Sequence, residues 1–222
     1  MPAVQQKHRF VTRWTHWVNF PVLFVMIWSG LLIYWANDIY RVGIGSVTVF
    51  HFFPHWVYRL LNADHQLADG MAIHFLFMWI FAINGALYVA YTVFSGAWRE
   101  MIPRRSSLRD AIQVVRYDLG LSKLRPPQEK YNAAQKISYT GIVVMGFGSL
   151  VTGFAIYRPT QTAWLTMLTG GYQMARWEHF LLTCGYVIFF VVHIAQVVRA
   201  GWNNFRSMVA GFEVVSGDAN GN

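Results

Sequence analysis

The stretch RWEHFLLTCGYVIFFVVHIAQVVR, from Arg176 to Arg199, decides the fold of this chain. It is long and apolar enough to cross the hydrocarbon core of a bilayer, which takes about 20 residues of helix. It also contains two histidines, His179 and His193, fourteen residues apart. Because fourteen residues are close to four turns of α-helix, both imidazoles leave the same face, about 21 Å apart along the axis. Ionisable groups at two depths of a membrane are costly, and they are typical of functional sites.

The composition of the whole chain indicates an integral membrane protein. Of its 222 residues, 55% are hydrophobic and only 13% are charged, whereas a soluble domain carries about 25% charged residues. The formal net charge is +8, but the basic residues lie beside apolar runs. The preference for positive charge on the cytoplasmic side explains them better than nucleic-acid binding does. We therefore expect a lipid bilayer, and no nucleic acid, among the partners.

Four apolar segments are each long enough to span a bilayer. We predict spans at about residues 14–36, 68–94, 135–157 and 172–200, within one membrane domain of residues 1–213. Residues 214–222 are mostly small and polar, so we predict a disordered tail there. The predicted fold class is all-α, an integral membrane four-helix bundle.

The basic residues predict the orientation of this bundle. Fourteen of the 18 Lys and Arg residues lie on the side of the two termini, and four lie in the other two loops. Because the excess of Lys and Arg marks the cytoplasmic side, both termini are predicted to be cytoplasmic. Residues 106–119 predict an amphipathic helix on that side. The aromatic-rich outer loop, residues 37–67, predicts a short surface helix that suits either the interface or a docked partner.

Four histidines lie inside the predicted spans, and they form two pairs by depth. His74 and His179 lie near the outer ends of their spans, and His16 and His193 lie near the inner ends. A six-coordinate haem iron takes two axial ligands, and imidazole is a standard choice. We therefore predict two b-type haems between the helices. His74 and His179 would ligate the outer haem iron, and His16 and His193 the inner one.

Zinc binding and proton transfer fit these four histidines less well than haem ligation does. A structural zinc site needs four close ligands, and a proton relay needs acidic residues in the span cores. Haem propionates are anions that favour cationic partners. Arg13 flanks the inner pair, and Arg176 precedes His179 by about one helical turn. Both arginines are candidate propionate ligands, although orientation by positive charge explains Arg13 equally well.

Several segments, together with the four histidines, extend a resemblance over nearly the whole chain. They are RWTHW (13–17), KYNAAQK (130–136), VTGFAIYRP (151–159) and FRSMVAGF (205–212). With them the chain resembles the four-helix di-haem cytochrome b subunits of bacterial formate dehydrogenases, nickel–iron hydrogenases and thiosulfate reductases. The resemblance implies a multi-pass protein of the bacterial cytoplasmic (inner) membrane with the same haem ligands. It also implies a quinone site beside the inner haem, for menaquinone or ubiquinone. Asn132 matches that site, whereas Ala134 replaces a glycine of the formate dehydrogenase pattern.

An electron-transfer subunit is the function that this pattern favours. It would transfer electrons between a periplasmic redox enzyme subunit and the quinone pool. The partner would be a catalytic or iron–sulfur subunit of the molybdenum-enzyme or nickel–iron hydrogenase type, and substrate turnover would belong to it. One alternative is a stand-alone b561-type quinol-linked oxidoreductase, and another is a haem-free membrane anchor or transporter. The sequence leaves the direction of electron flow open.

Overall fold

Helices account for most of the chain. The structure, a computed structural model, describes residues 3–36, 41–44, 47–124 and 131–215. Four of its helices are long and apolar enough to cross a membrane, and they correspond to the four predicted spans. In chain order the elements are β1 (Ala3–Gln6), α1 (Phe10–Tyr34), β2 (Arg41–Ile44), β3 (Val47–His51), α2 (His55–Leu60), α3 (Leu67–Phe94), α4 (Trp98–Met101), α5 (Ser107–Asp118), α6 (Ala133–Tyr157), α7 (Ala163–Leu168), α8 (Tyr172–Ala210) and β4 (Phe212–Val215).

The ends of the four long helices are close to the predicted ones, with two exceptions. Helix α1 begins at Phe10, four residues before the predicted span. Helix α8 continues to Ala210, but Gly201 interrupts it with a left-handed backbone (φ 79°, ψ 176°). Glycine adopts this conformation without the steric cost that a Cβ would impose. The apolar part of α8 therefore ends where the span was predicted to end, and a second helical segment follows.

One of two compact units comprises residues 14–86. Within it, α1 and α3 approach so closely at Gly70 that a Cβ there would lie 2.7 Å from the Cβ of Leu32. Farther along the same helices, the Asn84 side-chain amide donates a hydrogen bond to the carbonyl of Thr15 at 2.9 Å. The close packing at Gly70 and the hydrogen bond from Asn84 therefore stabilise this helix pair. Both kinds of contact are common in membranes, because the hydrophobic effect does not drive helices together in lipid.

Replacing Gly70 with Ala should destabilise the packing of α1 against α3. The added methyl would overlap Leu32, so the helix backbones must separate, at a cost of about 1–3 kcal/mol for an overpacked site. Thermal unfolding in detergent should show a lower midpoint. Gly85→Ala is the matched control, because nothing lies within 4 Å of a Cβ at Gly85. An equal midpoint for the two variants would contradict this packing.

The other compact unit comprises residues 1–13 and 87–222. Here α6 packs against α8 and α5. The predicted amphipathic helix is present as α5, with Val114 buried and Leu108 and Ile112 exposed. At the end of α5 the Asp118 carboxylate pairs with the Arg199 guanidinium at 3.5 Å. An ion pair therefore links the end of α5 to the end of the apolar part of α8. The exposed face of α5 carries the apolar residues Leu108 and Ile112.

The two ends of the chain are joined within the same unit. Strands β1 and β4 pair antiparallel, with Gln6 opposite Phe212. The Lys7 ammonium lies 2.6 Å from the Glu213 carboxylate, and the Lys7 amide donates to the carbonyl of Gly211. The N-terminal and C-terminal segments of the described chain are therefore held together by a strand pair and an ion pair.

The predicted all-α class is confirmed, because the structure is mostly helical and has four helices able to span a membrane. Two short antiparallel strand pairs that the sequence did not predict, β1–β4 and β2–β3, are added to the helices. Strands β2 and β3 are rich in β-branched residues, which favour extended backbone. The predicted disordered tail begins at residue 214, but Val214 and Val215 belong to β4. Residues 216–222 lie outside the described part of the chain.

Candidate functional site

His74, the predicted outer ligand on α3, is anchored to the neighbouring helix. It lies seven residues after Leu67, the first residue of α3. Its Nδ1 lies 2.9 Å from the hydroxyl oxygen of Ser29, a fully buried residue of α1. The next residue, Gly30, faces the ring, and a Cβ there would lie 3.8 Å from its Cε1. A buried hydroxyl and a glycine of α1 therefore hold this imidazole.

His179, the predicted outer ligand on α8, has the same surroundings. It lies seven residues after Tyr172, the first residue of α8. Its Nδ1 lies 2.9 Å from the hydroxyl oxygen of Thr152, a buried residue of α6. Gly153 follows, and a Cβ there would lie 3.4 Å from the ring Cε1. The structure therefore repeats one arrangement in two separate helix pairs.

The predicted inner histidines lie among aromatic side chains. His16 is six residues after the start of α1 and meets the Trp17 ring edge-on at 5.3 Å. His193 is eight residues before Gly201 and stacks on the Phe189 ring at 5.7 Å. At about 1.5 Å per residue, both lie roughly 9–12 Å from the inner ends of their apolar helices. The pairing of the four histidines stays a prediction from their depths.

The two arginines predicted beside the haem sites differ in their contacts. Arg13 donates from Nη1 to the carbonyl of Ala210 at 3.1 Å and packs against Gly211. Its Nε is buried and has no hydrogen-bond partner within the described ranges. Arg13 therefore fastens the C-terminal end of α8 and keeps a buried donor that suits an anion. Arg176 lies over the ring of Tyr172 at 5.8 Å, one turn before His179.

Asn132, the predicted quinone-site residue, caps helix α6. Its side-chain oxygen accepts from the Gln135 amide at 2.9 Å, and the Gln135 side chain accepts from the Asn132 amide at 3.0 Å. This reciprocal pair is a capping box. Asn132 therefore has a structural role at the position where the resemblance implies a ligand-binding one.

A cleft of about 540 Å³ opens at the same end of α6. Tyr131 and Lys136 line it from the α6 side, and Lys136 is only 9% exposed. The remaining lining residues come from α4 and the segment after it: Trp98, Arg99, Glu100, Ile102, Pro103 and Arg104. The cleft thus combines aromatic walls with a surplus of positive charge beside Asn132.

Ser29 and Thr152 are the residues that sequence reasoning missed. Each lies five residues before the end of its helix, Tyr34 or Tyr157, and each precedes a glycine. In each case the following long helix has a histidine seven residues after its start. This repeated spacing is visible in the sequence, but only the helix boundaries give it meaning.

Known proteins resemble the chain over most of its length. A family model described as prokaryotic cytochrome b561 matches residues 7–211. That range includes every predicted site residue. A protein of Azospira oryzae, named as the protein-methionine-sulfoxide reductase subunit YedZ1, is 28% identical over 188 residues. The match covers 83% of this chain and 86% of that protein.

Proposed function

The chain belongs to the prokaryotic cytochrome b561 family, and on that basis we propose that it transfers electrons between the quinone pool and a periplasmic redox enzyme. Family and spans together make it a multi-pass haem b protein of the bacterial inner membrane that acts in electron transport. The observation that carries the proposal is a single apolar helix, α8, with histidines at two depths. One shared helix can thereby connect two redox centres across the membrane.

The residues present fit haem b at the outer site. The imidazoles of His74 and His179 are held through Nδ1 by buried hydroxyls, which suits a ring whose other nitrogen ligates iron. Gly30 and Gly153 leave the space next to these rings without a side chain. We assign His74 and His179 to the outer haem, with Arg176 near its propionates.

The inner site is assigned on similar grounds. His16 is six residues after the start of α1 and His193 is eight residues before Gly201, and their predicted depths pair them. The buried Nε of Arg13 supplies a donor for a propionate. Bound haem would supply reversible one-electron transfer, with a potential set by its ligands and surroundings. The chain itself would supply the axial nitrogens, the cationic anchors and an apolar shell.

We place the quinone at the start of α6. The cleft beside Asn132 has a buried lysine and aromatic walls, which suit a planar ring with two carbonyl acceptors. Menaquinone and ubiquinone share this chemistry. With the termini on the cytoplasmic side, as the basic residues predict, this cleft opens toward the cytoplasm. Electrons would then cross the membrane between the cleft and the outer haem.

The partner follows from the relative's name. That protein is named as a subunit of a reductase that acts on methionine sulfoxide in proteins. By analogy we propose a periplasmic reductase, of molybdenum-enzyme type, as the acceptor of electrons from this chain. A nickel–iron hydrogenase partner would reverse the flow. The exposed aromatic and apolar side chains of the outer loop, such as Phe50 and Trp56, offer a contact surface for it.

Reduction by a quinol tests the proposal directly. The purified protein is expected to show b-type bands in its reduced-minus-oxidised spectrum, with two haems per chain. A menaquinol or ubiquinol analogue should reduce both haems, and a periplasmic redox subunit should co-purify in mild detergent. A preparation without b-type bands would instead support a membrane anchor. Full quinol-linked activity of the isolated chain with a small acceptor would support the stand-alone alternative.

A further inference from the structure

Each of the two predicted outer histidines contacts a hydroxyl that also lies within hydrogen-bond distance of a backbone carbonyl. The Ser29 hydroxyl lies 3.2 Å from the carbonyl of Met26, and the Thr152 hydroxyl lies 2.8 Å from the carbonyl of Gly148. A hydroxyl has one proton, and a carbonyl can only accept it. A hydroxyl that donates to this carbonyl accepts from Nδ1 of the histidine, 2.9 Å away. The carbonyls thus favour the tautomer with the proton on Nδ1, which is also the tautomer that ligation of iron through Nε2 requires.

This tautomer has a direct consequence for metal binding. A neutral imidazole protonated on Nδ1 carries its lone pair on Nε2. A hydrogen bond from the other nitrogen of a ligating imidazole fixes the ring orientation and raises the basicity of the ligand. In both helix pairs the hydroxyl is buried, so water does not compete for this bond.

Glycine makes the contact possible in both places. Gly30 and Gly153 directly follow the hydroxyl residues and lie against the histidine rings. At Gly153 a Cβ would lie 3.4 Å from Cε1 of His179, so a larger residue would crowd the ring out of reach of Thr152. The hydroxyl therefore makes a hydrogen bond to the histidine ring, and the glycine leaves the space that the ring needs to reach it.

We propose that Ser29 and Thr152 are positioning residues that lower the midpoint potential of the outer haem. They present Nε2 of His74 and of His179 to the iron and make both ligands more electron-donating, which favours the ferric state. The proposal rests on the outer-haem ligation proposed above. It adds two residues, one on α1 and one on α6, that act on the iron only through the histidines.

Variants that lack the hydroxyls test this role. Thr152→Val replaces the hydroxyl by a methyl group, and Ser29→Ala deletes it. In the purified haem-loaded full chain, an optical redox titration should show a more positive potential for one haem and an unchanged potential for the other. The double variant should show a larger shift of the same haem. Thr152→Ser and Ser29→Thr should restore the original value, and a ligand-field change in the electron paramagnetic resonance spectrum should accompany each shift.

Thr169→Val is the matched control for loss of a buried hydroxyl. Thr169 is also buried, and its hydroxyl donates to the carbonyl of Leu165 at 3.2 Å. If Thr152→Val loses one haem while Thr169→Val and Thr152→Ser keep both, the positioning role is supported. Unchanged potentials in haem-loaded Thr152→Val and Ser29→Ala would overturn it and leave the proposed function intact. Equal losses in all three threonine variants would also overturn it. A wild-type protein without haem would instead refute the proposed function.

Discussion

Replacing His179 and His193 together with Ala is expected to abolish haem b binding, whereas each single replacement should remove one of the two haems. Helix α8 would supply one histidine to each haem, so each replacement would remove a residue that holds one of them. Haem content per chain, measured on purified protein by its pyridine adduct, should fall from about two to one and then to zero.

The partner histidines make this test specific. His74→Ala should lose the same haem as His179→Ala, and His16→Ala the same haem as His193→Ala. A redox titration identifies which haem remains, provided that the two potentials differ. His55→Ala, in the outer loop, is the control and should keep both haems. Retention of both haems by His193→Ala would refute the pairing, as would loss of different haems within a predicted pair.

The sequence predicted the membrane spans well because their signal is local. About 20 consecutive apolar residues suffice to identify a span, and each of the four long helices contains such a run. The backbone of α8 breaks at Gly201, one residue after the predicted end of the fourth span. The positions of the four histidines on these helices follow directly from the spans.

Contacts between distant parts of the chain were not predictable in the same way. Strand β1 pairs with β4 across nearly the entire sequence, and neither strand alone has a strong apolar pattern. Ser29 meets His74 across 45 residues, and Thr152 meets His179 across 27. A serine or threonine in an apolar helix usually bonds to its own backbone. The second hydrogen-bond partner of Ser29 and of Thr152, a histidine, becomes evident only when the neighbouring helix is in place.

The role of Asn132 could be predicted from the sequence only in part. Its resemblance to a quinone-site residue was visible in the sequence, and so was the spacing to Gln135 that marks a capping box. The structure shows that the cap is formed. Because the cap occupies the side-chain oxygen, a role in quinone binding would fall to the side-chain NH₂ group, which only donates.

Asn132→Ser is therefore expected to slow quinol-driven haem reduction by roughly tenfold while leaving the protein folded. Serine is as good a helix cap as asparagine, so α6 should still begin at the same residue. The lost group is the amide donor of the residue that directly follows Tyr131, which lines the cleft together with Lys136. Stopped-flow reduction of the haems by a menaquinol analogue measures the effect, and dithionite reduction confirms that both haems are intact.

Gln135→Ala separates capping from quinone binding. It removes the acceptor of the reciprocal bond to the Asn132 amide at 3.0 Å but leaves the Asn132 side chain unchanged. We expect a loss of about 1 kcal/mol or less in stability and near-normal quinol-driven reduction. If Asn132→Ser reduces its haems at the wild-type rate, Asn132 is a helix cap alone. The quinone would then have to bind through other residues, of which the buried Lys136 is the first to test.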